Sequence, residues 1–209
     1  STLATGVSSA TVTIVGTGIV NITASQPGDS NTVAPTDVVR ALTVAKGTAP
    51  VTLGSLNPAY DGAPKAATAA TTPASLNVVF GYGAAPGSTT PPTNAGSYAV
   101  VGTINDVNYV GTASGTLVIG KANQTITFNP LPAKILVSGT FTLAATASSG
   151  LPVSYASSNA AAATVSGSTV TLVGPGMTSI TARQAGDSNF LVAPDATQTL
   201  AVNTAQVIT

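Results

Sequence analysis

Two loops of nearly identical sequence, QPGDSN at 26–31 and QAGDSN at 184–189, each place an Asp and an Asn oxygen within three residues. A hard cation such as Ca²⁺ binds oxygens of this kind, but it takes about six to eight of them. Neither loop has a Glu or a second Asp nearby. Asp and Asn also accept hydrogen bonds from the backbone amides of turns. The pattern therefore favours two turns, with a metal site as the alternative.

Two further segments combine Asp with Tyr, AYDGA at 59–63 and INDVNY at 104–109. In a glycosidase or a lectin, Tyr60 and Asp61 could form a platform for a sugar. Asp-Gly is, however, a turn signal, and a Tyr beside a turn typically packs its ring over the end of a β-sandwich. We interpret both segments as turns, each with an aromatic ring that covers a core.

The chain lacks the groups that nucleophilic catalysis requires, which are an activated Ser or Cys beside a base. It contains no His, no Cys and no Glu, and its Asp, Lys and Tyr residues show no acid–base pairing in the sequence. We therefore expect that it is not an enzyme. We also expect no cofactor and no catalytic, cofactor-binding or metal-binding residues.

Charged residues are few and scattered, with six Lys or Arg against six Asp and a formal net charge of zero. No basic stripe exists to hold a phosphate backbone, so the sequence argues against a nucleic-acid partner. No apolar run approaches the roughly 18–20 residues that span a bilayer, so we expect no membrane insertion. The absence of Cys removes disulfides and thiolate chemistry.

The elements that must hold these loops are short strands. TVTIV at 11–15 alternates apolar and polar residues, and STVTLV at 168–173 repeats the arrangement. Similar runs recur along the chain, separated by clusters of Gly, Pro, Asn and Asp, and no segment has the 3.6-residue period of a long helix. The sequence predicts an all-β protein of antiparallel sandwiches.

An internal repeat supplies the domain map. Residues 5–31 and 163–189 are identical at 16 of 27 positions at a constant offset of 158. Between the copies lies a different unit, bracketed by a strand end, a Lys and a new strand at both Lys46 and Lys121. Linkers this short leave little slack, so we expect the units to be arranged as a rod.

Two family resemblances accompany this map. Residues 121–202 resemble the bacterial immunoglobulin-like repeats that occur in tandem in very large surface and secreted proteins. Residues 46–120 resemble the mostly bacterial Ig-like module, through YDG at 60–62, TNAGSYAV at 93–100 and INDVNYVGTASGTLVI at 104–119. The resemblance implies Ig-like β-sandwiches used as a spacer, a stalk or an adhesive surface repeat, without catalytic residues.

The predicted domains are the C-terminal half of an Ig-like repeat at 1–45, the module at 46–120, a complete repeat at 121–202 and the first strand of a following domain at 203–209. The first unit lacks counterparts of residues 121–158, so its apolar residues should meet water. We expect either a window cut from a longer tandem array, or a subunit completed by strands of a neighbouring copy. Candidate residues for such pairing between copies form the tail: Gln206, Val207, Ile208 and Thr209.

The functional hypothesis is a non-catalytic structural repeat of a bacterial extracellular or cell-surface protein, namely a stalk, an adhesin spacer or a fibre subunit. Its partners would be further copies of itself or neighbouring repeats, because near-zero net charge leaves little repulsion between copies. The alternative is an adhesive module that binds a glycan or a host protein. Such a module should expose an aromatic cluster, and only nine aromatic residues exist.

Overall fold

A computed structural model of the chain describes residues 10–83 and 87–205. Within this part, the regular structure comprises β-strands and a single 3₁₀ turn, Leu136–Ser138, so the predicted all-β class is confirmed. The first nine strands are β1 (Gly18–Ala24), β2 (Val38–Val44), β3 (Gly47–Thr48), β4 (Val51–Gly54), β5 (Thr68–Thr71), β6 (Val78–Tyr82), β7 (Gly96–Ile104), β8 (Tyr109–Val110) and β9 (Thr112–Ile119). The others are β10 (Ile126–Phe128), β11 (Lys134–Ile135), β12 (Thr140–Thr142), β13 (Ala145–Ala147), β14 (Ser154–Ser157), β15 (Ala163–Ser166), β16 (Thr169–Leu172), β17 (Gly176–Arg183) and β18 (Ala196–Asn203).

The described chain forms two compact units, each assembled from separate segments. The first unit contains residues 10–55, 67–83, 87–90 and 99–116, and the second contains 56–66, 91–98 and 117–205. The predicted domain boundaries after residues 45, 120 and 202 stay a prediction, and so does the rod.

The first unit contains small, mostly antiparallel sheets. Strands β1 and β2 form a two-stranded hairpin in register from Gly18 opposite Val44 to Ala24 opposite Val38. Strand β4 pairs antiparallel with β5, β6 pairs antiparallel with β7, and the short strands β3 and β8 pair in parallel. Tyr82 is buried in this unit, where its hydroxyl accepts a hydrogen bond from the Ala67 N–H at 2.9 Å.

The second unit contains a four-stranded sheet in the order β11-β18-β17-β14 and a three-stranded sheet in the order β12-β16-β15, with β10 paired to β13. The residues of β16, β17 and β18 alternate between buried and exposed, as strands with one core-facing side must. Their buried side chains join one apolar cluster, formed by Phe128, Leu143, Ala163, Val170, Leu172, Ile180, Ala182, Leu200 and Val202. The sheets therefore enclose a core, as a β-sandwich requires.

The strand predicted at 11–15 is wrong. Residues 11–15 have no strand assignment, whereas the repeat's second copy forms β16 at Thr169–Leu172. Strand β16 pairs on one side with β12 and on the other with β15. A strand exists through hydrogen bonds to neighbours, and no described strand pairs with residues 11–15.

Candidate functional site

The loop at 186–190 is closed by its own carboxylate. Asp187 Oδ1 accepts hydrogen bonds from the N–H groups of Asn189 at 2.7 Å and Phe190 at 2.8 Å. The Lys121 ammonium donates to the Asp187 carbonyl oxygen at 2.5 Å. Gly186 adopts φ 77°, and a Cβ there would lie 2.5 Å from the Phe190 carbonyl oxygen, so this turn requires glycine.

The loop at 104–109 repeats this construction in the first unit. Asp106 Oδ1 accepts from the N–H groups of Asn108 at 2.7 Å and Tyr109 at 3.0 Å. The Lys46 ammonium donates to the Asp106 carbonyl oxygen at 2.6 Å. Both loops therefore have the same pattern, Asp-x-Asn followed by an aromatic residue, and each is bound by a distant Lys.

The loop at 28–32 has the same turn. Asp29 Oδ1 accepts from the Thr32 hydroxyl at 2.6 Å and from the N–H groups of Asn31 at 2.9 Å and Thr32 at 2.7 Å. These hydrogen bonds favour the ionised carboxylate, the Thr32 hydroxyl most strongly, and so lower the pKa of Asp29 below its ordinary value.

Asp61 of the YDG segment also belongs to a local turn. The Lys65 ammonium pairs with its carboxylate, and the Ala63 N–H donates to Oδ1 at 2.9 Å. Lys65 is the largest cause of the lowered pKa of Asp61, and the Ala63 N–H is the second. Tyr60, its neighbour, packs edge-on against Phe190 with ring centroids 5.4 Å apart. The contact with Phe190 packs this ring, and the prediction that it covers a sandwich core stays a prediction.

These carboxylates are used to build turns. In residues 10–83 and 87–205, no group of three or more His, Cys, Asp or Glu side chains comes together to hold a metal ion. Of the two remaining Asp residues, Asp195 forms an ion pair with Arg183 at 2.9 Å. The absence of metal-binding residues stays a prediction.

None of the aromatic residues is fully exposed. All nine lie in the described part of the chain, and each is buried or half-buried: Tyr60, Phe80, Tyr82, Tyr98, Tyr109, Phe128, Phe141, Tyr155 and Phe190. A sugar platform needs an exposed ring to stack against. The described residues therefore contain no cluster of fully exposed aromatic side chains.

One surface of the first unit is apolar and is formed by the β1–β2 hairpin together with residues just before it. We call it the open face; it is lined by Val12, Ile14, Val20, Ile22, Leu42 and Val44. Val12 is 53% exposed and Ile14 is 64% exposed. Neighbouring apolar side chains that are exposed together in this way are uncommon on protein surfaces. Residues 1–45 were predicted to leave apolar side chains in water. Val12, Ile14 and Ile22 are exposed, whereas Leu42 and Val44 are half-buried.

The tail residues Gln206, Val207, Ile208 and Thr209, for which pairing between copies was predicted, lie outside the described residues. Their role stays a prediction.

Sequence reasoning missed the contacts between the two Lys residues and the two Asp loops. It singled out Lys46 and Lys121 as junction residues, and the Asp loops as turns, but did not bring them together. Each contact joins residues at least 60 positions apart, Lys46 with Asp106 and Lys121 with Asp187. The common spacing was the available signal, because each Asp-x-Asn loop lies 60 or 66 residues downstream of its Lys.

Comparison with known families identifies the central region. Residues 49–123 match the family model of the MBG domain, which confirms the predicted mostly bacterial Ig-like module. The match leaves the Ig-like repeats on either side as a prediction.

Among solved structures, the chain is similar to a SusE-like, surface-located polysaccharide-binding protein from the Bacteroides thetaiotaomicron heparin utilisation locus. The two are 14% identical, and the TM-score is 0.29. The alignment covers 88% of this chain but 44% of that one, so the chain spans less than half of its neighbour's length. A likeness at this TM-score carries no argument about function. No curated protein matches the chain.

Across residues 10–83 and 87–205, no helix is long and apolar enough to cross a membrane.

Proposed function

We propose that this chain is a non-catalytic structural repeat segment of a bacterial extracellular or cell-surface protein, serving as a stalk, an adhesin spacer or a fibre subunit. The MBG domain at 49–123 supports the bacterial Ig-like class. The antiparallel sheets and the enclosed core of the second unit support a scaffold role.

One observation carries the proposal: the polar groups that could do chemistry are used to fix the fold. Asp29, Asp106 and Asp187 each accept two backbone N–H bonds within their own loop. Lys46 and Lys121 bind backbone carbonyl oxygens of those loops. A carboxylate oxygen that accepts two amide hydrogen bonds within its own turn has its lone pairs engaged in the fold.

The finer proposal concerns fibre formation through the open face. In the second unit, the counterparts of Ile22 and Leu42 are Ile180 and Leu200, which are fully buried beneath side chains such as Phe128 and Leu143. The side chains of the open face match those of a closed core but have no such cover. We propose that strands of the same Ig-like type, supplied by another copy of this chain, cover this face.

Sedimentation velocity on the 209-residue chain over a range of concentrations tests this association. We expect oligomers that dissociate when Ile22→Asp or Leu42→Asp puts a charge on the open face. Burial of such a side chain contributes about 1.5–3 kcal/mol, so each change should weaken association tenfold or more. Val39→Asp is the matched control, because Val39 belongs to the same strand as Leu42 but alternates to its other side, does not line the open face and is 54% exposed. A chain that is monomeric at every concentration would exclude the fibre subunit and leave the spacer role.

The competing function is an adhesive module that binds a glycan or a host protein. The polysaccharide-binding neighbour named above is too distant to support it, and no aromatic side chain of the described residues is fully exposed. A glycan array on the intact chain distinguishes the two functions, since micromolar binding to any glycan would reverse this ranking.

A further inference from the structure

Two Asn side chains make the same contact in the two compact units. In the second unit, Asn189 Oδ1 accepts a hydrogen bond from the Ala95 N–H at 2.9 Å. In the first unit, Asn108 Oδ1 accepts one from the Thr17 N–H at 3.1 Å. The partners lie 94 and 91 positions apart in sequence, so each contact joins regions that the chain brings together only through its fold.

The two donors occupy equivalent turns. Ala95 and Thr17 each directly precede the glycine that begins a strand, Gly96 of β7 and Gly18 of β1. Gly96 has φ 155° and Gly18 has φ 142°. Residues that carry a Cβ rarely adopt a φ in this region, so both positions favour glycine. We call this two-residue arrangement the strand-head turn.

A third strand-head turn shows what the arrangement requires. Gly176 begins β17 with φ 150°, and the residue before it is Pro175. Proline has no backbone N–H. The third turn therefore has the same shape but cannot donate the hydrogen bond that Ala95 and Thr17 donate.

The two acceptors are held in the same way. Beside Asn189, the Ala122 N–H donates to the Asn189 carbonyl oxygen at 2.8 Å, and beside Asn108 the Gly47 N–H does the same at 2.8 Å. With the Asp and Lys contacts described above, these bonds fix the backbone of each Asn on both sides. A carboxamide on a fixed backbone presents its oxygen with little loss of conformational entropy.

We propose that the Asp-x-Asn loop, together with the Lys bound to it, is a docking site for a strand-head turn. Its partner is a strand-head turn from a distant segment of the same compact unit, provided that the residue before the glycine has a free N–H. The accepted group belongs to the backbone, so the site tolerates different side chains there, as Thr17 and Ala95 illustrate, and rejects proline. This inference is independent of the proposed function, because it concerns contacts that exist within the chain.

The two sites share one hydrogen bond, from a backbone N–H to the Asn carboxamide, but their other contacts differ. Asn189 Nδ2 also donates to Asn94 Oδ1 at 3.3 Å, whereas at the other site the Thr17 hydroxyl donates to the Val107 carbonyl oxygen at 2.8 Å. The backbone N–H to carboxamide bond is common to both sites. This hydrogen bond is therefore the feature that recurs at both sites.

Amide hydrogen exchange measured by NMR on the intact chain tests the proposal. We expect Asn189→Ala to speed exchange of the Ala95 amide about threefold to tenfold and to leave Thr17 unchanged. Asn108→Ala should do the reverse. Asn31→Ala is the matched control, since Asn31 holds the same position in the Asp29 loop and its side chain forms no hydrogen bond to the described residues.

Two conservative variants distinguish loss of this hydrogen bond from a general increase in amide exchange. Asn189→Asp keeps an acceptor oxygen and should preserve the slow exchange of the Ala95 amide. Ala95→Ser keeps the backbone N–H, so the amide at position 95 should still exchange slowly. Unchanged Ala95 exchange in Asn189→Ala would overturn the proposal. So would equal acceleration of Ala95 and Thr17 in the Asn31→Ala control, because that would indicate a global effect.

Discussion

The hairpin β1–β2 and the hairpin β17–β18 share much of their sequence but differ in their surroundings. Ile22 is 39% exposed, whereas its counterpart Ile180 is fully buried. Both occupy the same alternation in strands of similar length, and both strands pair antiparallel with the strand that follows them in the chain. Local sequence thus forms the hairpin in both places, while a core arises only where strands from 126–157 cover it.

The same contrast holds for a polar side chain. Gln184 is buried, and its Oε1 accepts hydrogen bonds from Gln124 Nε2 and the Gly186 N–H, both at 2.5 Å. Its counterpart Gln26 is exposed to solvent. A glutamine is therefore tolerated at this position with or without cover, but only in the second unit is it part of a buried network, which Ser149 extends.

The largest expected difference between the two copies is in core packing. Ile180→Ala should destabilise the second unit by about 2–5 kcal/mol, because it opens a cavity in a closed core. In the monomer, Ile22→Ala should change stability by less than about 0.5 kcal/mol, because its side chain meets solvent there. Urea unfolding of the monomeric chain at low concentration, followed through NMR signals of residues 154–183 and 18–44, measures both. Equal losses at the two positions in the monomer would show that the chain itself covers the open face.

The second difference concerns the buried glutamine. Gln184→Ala leaves the Gln124 amide and the Gly186 N–H without their acceptor, and a buried unsatisfied donor costs about 1–3 kcal/mol. Gln26→Ala should be close to neutral. The same urea experiment compares the two variants, and a neutral Gln184→Ala would indicate that water replaces the missing carbonyl.

The sequence predicts those strands that local pattern defines, but not whether a neighbouring strand is present to pair with them. Strands β1 and β7 were predictable because their own alternation of apolar and polar residues is enough to define them. Residues 11–15 have that alternation as well, but a strand requires neighbours that the sequence pattern does not supply. Strand β5, Thr68–Thr71, was missed because its TAAT sequence lacks the large apolar residues that mark a strand.

The candidate sites divide in a similar way. The Asp turns were predictable from residue type, because their hydrogen bonds run to amides two or three residues away. The contacts of Asn189 with Ala95 and of Lys121 with Asp187 were not, since they depend on how distant segments fold together. Composition and periodicity describe local structure, and contacts of this separation follow only from the tertiary fold.

The smallest expected effect is electrostatic and sharpens the comparison of the loops. Asp29 has a lowered pKa, and the Thr32 hydroxyl, present in this loop where the other two have an aromatic residue, is its main cause. A lowered folded-state pKa means that the stabilisation is present above the unfolded value of about 3.9 and is lost as the pH falls through the folded value. The turn should therefore loosen only below about pH 4.

Thr32→Val tests this assignment, because it removes the hydroxyl and keeps the N–H. The pKa of Asp29, followed by NMR titration of its carboxyl carbon, should rise toward the ordinary value yet remain below it, since the N–H groups of Asn31 and residue 32 still donate. Ser30→Ala is the control, because its hydroxyl is adjacent but makes no contact with the carboxylate among the described residues. An equal rise in both variants would mean that the loop as a whole, and not the Thr32 hydroxyl, lowers this pKa.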